Sequence, residues 1–218
     1  MAYPTIDKPY GLQPVNLIGG QVYAGSTRLI KIASAYNTNI FAGDVVKLVS
    51  SGTIEKDAGT TTVAANGVAG IFMGCTFTNP VTKQLTFSQY WPAGTVASDA
   101  QAYVVDDPDV LFKVAAVSSG TTVAFYGQTV IGNNVALVQN AGSTTSGDSA
   151  VAIDGTSAAA TVSLPIRIVA GVPDTANASG DFCEFICKFN APYITLTEGM
   201  PNVVAWNGGH MYNNPTGV

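Results

Sequence analysis

Three carboxylates in four residues, Asp106-Asp107-Pro108-Asp109, are the densest set of potential ligands in this chain. Clustered oxygens of this kind suit a hard cation. A calcium loop, however, alternates its oxygen ligands and ends in a Glu, and that pattern is missing here. Pro108 and Asp107 instead suit the early positions of a type I turn, which accounts for the cluster without a metal. Asp174-Thr-Ala-Asn-Ala-Ser-Gly-Asp181 has the same character, a polar loop explained by turn propensity. His210 is the single histidine, so a triad or a histidine-based metal site has no companions to draw on. The three Glu (Glu55, Glu184, Glu198) select no hydrolytic pair. Glu184 is expected to pair across a sheet with Lys188 or Arg167. Gly19-Gly20 lacks the Lys-Ser/Thr of a phosphate loop. Neither an enzyme nor a cofactor is expected.

Cys75, Cys183 and Cys187 are odd in number and read as small buried hydrophobes rather than a disulfide framework. On one strand, Cys183 and Cys187 would lie about 13 Å apart, beyond the reach of a bridge. The N-terminus carries no apolar signal segment, which fits assembly in a reducing cytoplasm. Tyr90-Trp91 and Trp206 are candidates for a sugar-binding face or for packing.

Composition points towards assembly. The chain has 218 residues, of which only 11% are charged, with a net charge of −5. Mean hydropathy is +0.27. No apolar run is long enough for a membrane helix, so the apolar surface is expected to be covered by other subunits. The nine cations are scattered singly, which argues against a nucleic-acid partner.

The elements that would carry these residues read as β nearly throughout. Residues 27–33, 44–49, 53–56, 68–78, 84–90, 102–105 and 110–116 are strand-like, with Ser50-Ser51-Gly52 as a turn. Gly70 and Gly74 fall where a strand bends or two backbones approach. Gln84 to Tyr90 alternates, with Leu85, Phe87 and Gln89 on one side. A short helix is expected around 129–137. Residues 150–154, 164–170 and 181–189 follow as further strands. Many short strands separated by turn residues predict an all-β fold: a β-barrel, β-tulip or jelly-roll-like core. An extended N-terminal arm and an irregular C-terminal tail complete it. The organisation expected is an arm over 1–25, a barrel domain over 26–138 and a second β-region with the tail over 139–218. The Ser/Thr/Gly stretch 139–148 is either the boundary or a surface loop within one continuous domain.

The arm is the feature most suggestive of function. Pro4, Pro9 and Pro14 exclude helix and favour extended backbone. Tyr3, Ile6, Tyr10, Leu12, Val15, Leu17 and Ile18 make it apolar along its length. Twenty extended residues reach about 66 Å at most, enough to grip a neighbouring subunit. These residues, together with the three prolines, are the expected interface.

Several phrases resemble capsid-associated structural proteins of tailed bacteriophages. They are Tyr10 to Arg28 (YGLQPVNLIGGQVYAGSTR), Phe41-Ala-Gly-Asp-Val-Val-Lys-Leu48, Asp107-Pro-Asp-Val-Leu-Phe-Lys-Val114, Leu164-Pro-Ile-Arg-Ile168 and the ending His210 to Val218. The resemblance implies a head decoration, or cement, protein. Such a protein sits on the outer capsid surface of the virion, commonly as a homotrimer, and clamps neighbouring copies of the major capsid protein. Family members use β-tulip, barrel or jelly-roll folds. Small decoration proteins are often shorter, so the region after Asn140 would add a knob or extra subunit contacts. Two alternatives stand beside this expectation. One is a carbohydrate-binding adhesion module, motivated by Trp91 and Trp206. The other is the major shell subunit, for which no spine-helix segment is apparent.

Overall fold

The computed structural model describes residues 6–196 and 204–215. The chain is all-β, 43% strand, and contains a closed five-stranded barrel. The first nine strands are β1 (Gln13–Leu17), β2 (Arg28–Lys31), β3 (Ile40–Phe41), β4 (Val45–Leu48), β5 (Ile54–Lys56), β6 (Gly70–Thr78), β7 (Leu85–Ser88), β8 (Tyr90–Trp91) and β9 (Gln101–Val105). They are followed by β10 (Val110–Ser119), β11 (Thr122–Val123), β12 (Asn134–Val138), β13 (Ala152–Ala159), β14 (Ile166–Gly171), β15 (Glu184–Phe189), β16 (Tyr193–Leu196) and β17 (Val204–Asn207).

The barrel closes because β10 is long enough to be paired on both edges. Phe112 to Ala115 face β15, and Ala116-Val117 run parallel to β13. The ring continues through β12 and β14 back to β15. Inward positions follow the period of two expected of a strand: Phe112, Val114 and Ala116 on β10, and Phe185, Cys187 and Phe189 on β15. Phe112 and Phe189 meet edge to face at 5.5 Å. So small a barrel is filled by its own side chains and encloses no channel.

A second sheet, in the order β2-β9-β6-β4-β5 with β7 also on β6, packs its own core around Phe72, Phe77, Trp91 and Val104. The bend expected in residues 68–78 is present, with a register shift against β9 between Phe72 and Gly74. Gly70 has φ +145, and a Cβ there would lie 2.0 Å from the Val105 carbonyl oxygen, so only glycine fits.

The sheets share a buried polar joint. Asp44 accepts hydrogen bonds from the Phe41 amide (2.9 Å) and the Ser149 hydroxyl (2.6 Å). It also pairs with Lys56 at 2.9 Å. Val45, Ile71 and Val105 of the second sheet contribute to the barrel core.

Several expectations need correction. The barrel is not built from residues 26–138, because its strands run from Val110 to Phe189. The stretch 139–148 is no boundary: it joins β12 to β13, which pair within the barrel. Asn140 Nδ2 fastens it to the Gly120 and Ala150 carbonyls. The helix expected at 129–137 is a single 3-10 turn, Gln128–Val130, followed by β12. Gly132 at φ +87 breaks the helical path, and Val135 and Leu137 serve the barrel core. The C-terminal segment is less irregular than expected. β16 and β17 form an antiparallel ribbon, and residues 208–211 dock on Ala65 and Val68 through backbone hydrogen bonds.

Candidate interaction surface

The N-terminal segment is seated on the chain's own barrel. β1 pairs with β10 from Gln13↔Lys113 to Leu17↔Val110. The Gly11 amide donates to Val151 and the Leu12 amide to Gly43. Gly11 lies so close to Gly43 that a Cβ on Gly11 would come within 2.9 Å of the Gly43 Cα. Tyr10 donates its hydroxyl proton to Glu184 at 2.5 Å. Lys113 pairs with the same carboxylate at 3.3 Å and sits 5.4 Å over the Tyr10 ring. A buried carboxylate needs such partners. Burial, then the bond to Glu184, pushes the Tyr10 hydroxyl pKa well up.

This seating divides the expected interface residues. Pro9 is buried, and Leu12 is 1% exposed within the barrel core. Leu17 packs against that core. Leu12 and Pro9 therefore hold the chain to itself and have nothing to offer a neighbour, a correction forced by their burial. Tyr10, Pro14 and Ile6 are half-buried. Val15 (38% exposed) and Ile18 (50%) face outward, joined by exposed Val22 beyond the turn at 17–21. Tyr3 and Pro4 lie outside the described residues.

Two shallow clefts flank Tyr10. One, of about 330 Å³, is lined by Leu12, Pro14, Met73 and Gln89. The other, of about 200 Å³, is lined by Lys8, Gly142 and Ser143. Asp148 belongs to both and accepts a hydrogen bond from Gln89.

A further exposed apolar surface lies on the second sheet. Leu85 (62% exposed) and Phe87 (70%) share the outward face of β7. Their alternation is legible in the sequence, but alternation does not say which face meets water.

The residues with chemical potential are used in structure. Asp106 pairs with Arg28 at 2.6 Å and accepts from the Tyr212 hydroxyl at 2.9 Å. Asp107 accepts the Asp109 amide, the expected turn. Asp109 lies 3.7 Å from Lys188. Glu184 pairs with Lys113, not with Lys188 or Arg167. Among the described residues no group of three or more His, Cys, Asp or Glu is placed to hold a metal. The cysteines are buried, and burial lifts the Cys75 thiol to about 12. Trp91 is fully buried, with its indole N–H on the Tyr36 carbonyl, so it lines no sugar-binding face. The Trp206 side chain is outside what is described.

His210, 2% exposed, is a wedge between the C-terminal segment and the body. Its ring lies against Phe189 and Tyr212, and its Nδ1 accepts the Tyr212 amide. Burial lowers its pKa from 6.5 to about 4, against the pull of Asp107 and Asp109. The fold thus accommodates the neutral ring. As pH falls below 6.5, the unfolded chain binds the proton first and stability declines, levelling off below pH 4. The total loss expected is about 3 kcal/mol. Urea unfolding at pH 7 and pH 4 should show this loss in excess of that of His210→Phe.

No protein-family model matches the chain, and neither a curated protein nor a solved structure matches it.

Proposed function

We propose that this protein decorates the outer surface of a tailed-phage head and cements neighbouring copies of the major capsid protein, acting as a homotrimer. The observation that carries this reading is the N-terminal segment, extended along the barrel rim with Val15, Ile18 and Val22 turned outward. The capsid-like phrases at 10–28, 41–48, 107–114 and 164–168 support it from the sequence side.

The mechanism is burial of apolar surface on a preformed platform. Because β1 is already ordered on β10, docking spends little on ordering the chain. Three copies of the segment in one trimer would reinforce one another through effective concentration. Substituting both Val15→Asp and Ile18→Asp should remove about 2 kcal/mol per copy, roughly thirtyfold in affinity. The body should stay folded, since both side chains are exposed. Cosedimentation with heads lacking the protein reads this directly. The cement role itself is tested by heating such heads, or moving them to low salt, with and without added protein. Added protein should raise their resistance, and unchanged resistance would reject the role.

A further inference from the structure

We infer that β7 is a self-pairing edge, through which two copies of this chain join their second sheets antiparallel across a two-fold axis at Thr86. This contact does not rest on the capsid reading, since it is a property of the free protein.

Among the described residues β7 pairs only with β6, so its other edge is open. The groups at that edge follow from the ladder. In the β6–β7 pair, Thr78 stands opposite Leu85, Phe77 opposite Thr86 and Thr76 opposite Phe87. The Thr78 amide turns away from β7 and donates to the Asp99 carboxylate at 3.1 Å, on the β9 side. Thr78↔Leu85 is therefore a pair without mutual hydrogen bonds. The Asn79 amide's bond to the Gln84 carbonyl, one position along, fits the alternation. Leu85 and Phe87 thus aim their N–H and C=O groups at the open edge.

The side chains point to the same partner. Leu85-Thr86-Phe87 reads apolar, polar, apolar in either direction about Thr86. If Thr86 faces Thr86 of a second copy, Leu85 faces Phe87 of that copy, twice over. Each such pair exchanges two backbone hydrogen bonds and sets an aliphatic side chain against an aromatic one. In this register Lys83 meets Gln89, and no like charges oppose each other. Natural edges are usually blunted by charge, proline or a bulge, and Leu85–Ser88 carries none of these. A foreign strand would be held by the same backbone groups, but the palindrome and the charge-free register favour a second copy.

The test uses the full chain. Sedimentation equilibrium over a rising concentration series compares the natural protein with Phe87→Lys. Near-UV circular dichroism checks that the variant keeps its packing. In parallel, Thr86→Cys is oxidised and run on a non-reducing gel. At the upper concentrations the natural protein should have twice the mass of Phe87→Lys, and Thr86→Cys should give a covalent pair. Doubling from a trimer to a pair of trimers satisfies this as well as doubling from a monomer. Equal masses with no covalent pair would overturn the inference. So would equal masses accompanied by loss of head binding in Phe87→Lys, which would assign the edge to a shell protein. If Phe87→Lys does not fold, the Thr86→Cys gel decides.

Discussion

Replacing Asp44 with alanine is expected to lower stability by about 3–5 kcal/mol, the usual result of removing one partner of a buried ion pair. Asp44 is fully buried where the second sheet meets the barrel. Its loss leaves the Lys56 ammonium, largely buried, without its carboxylate. It also strips the Phe41 amide and the Ser149 hydroxyl of their acceptor. For a chain of this size the midpoint should fall by roughly 10 °C. Asp44→Asn keeps an acceptor and should recover part of the loss. Thermal unfolding of both variants checks this. A fall of only a degree or two for Asp44→Ala would mean that the sheets are joined by apolar contacts instead.

The second large effect is at Leu12. Leu12→Ala should lose about 2–5 kcal/mol, the range for a leucine truncated inside a packed core. Removal of residues 1–20 should go further. It takes away Leu12, the β1 ladder on β10 and the Tyr10 partner of Glu184, leaving that carboxylate with Lys113 alone of the contacts described above. An arm over 1–25 lying outside the barrel domain, as the sequence leads one to expect, would be removed without loss of stability, whereas the structure predicts a destabilised chain. Urea unfolding of the truncated chain separates the two. A truncated protein as stable as the full chain would refute the seating of the segment. The same result bears on function: loss of head binding on truncation reports unfolding as much as a missing contact, so Val15→Asp with Ile18→Asp is the sharper probe.

How far the sequence could be read depended on the range of each signal. The β4–β5 hairpin, with its turn at 50–52, and the irregularity in β6 between Phe72 and Gly74 are written in neighbouring residues, and both are where expected. Barrel closure is not local. It depends on β10 meeting β13 at one part and β15 at another, and nothing near Val110–Ser119 names those partners. Tyr10 and Glu184 are 174 residues apart, so neither position advertises the other. The apolar arm was legible as apolar and extended, but composition alone does not tell a side chain bound for its own core from one turned outward. Leu12 and Val15, three residues apart, had opposite fates. β7 shows the same ambiguity: Leu85 and Phe87 would look identical on a core-facing strand.

The proposed role is to bind the outside of a phage head as a cement. The most direct measurement is the number of copies bound per head when purified protein is added to expanded heads that lack it and the heads are sedimented. A cement should saturate at a multiple of three per capsid face, with the Val15→Asp and Ile18→Asp double variant failing to saturate. No binding by the natural protein would contradict it.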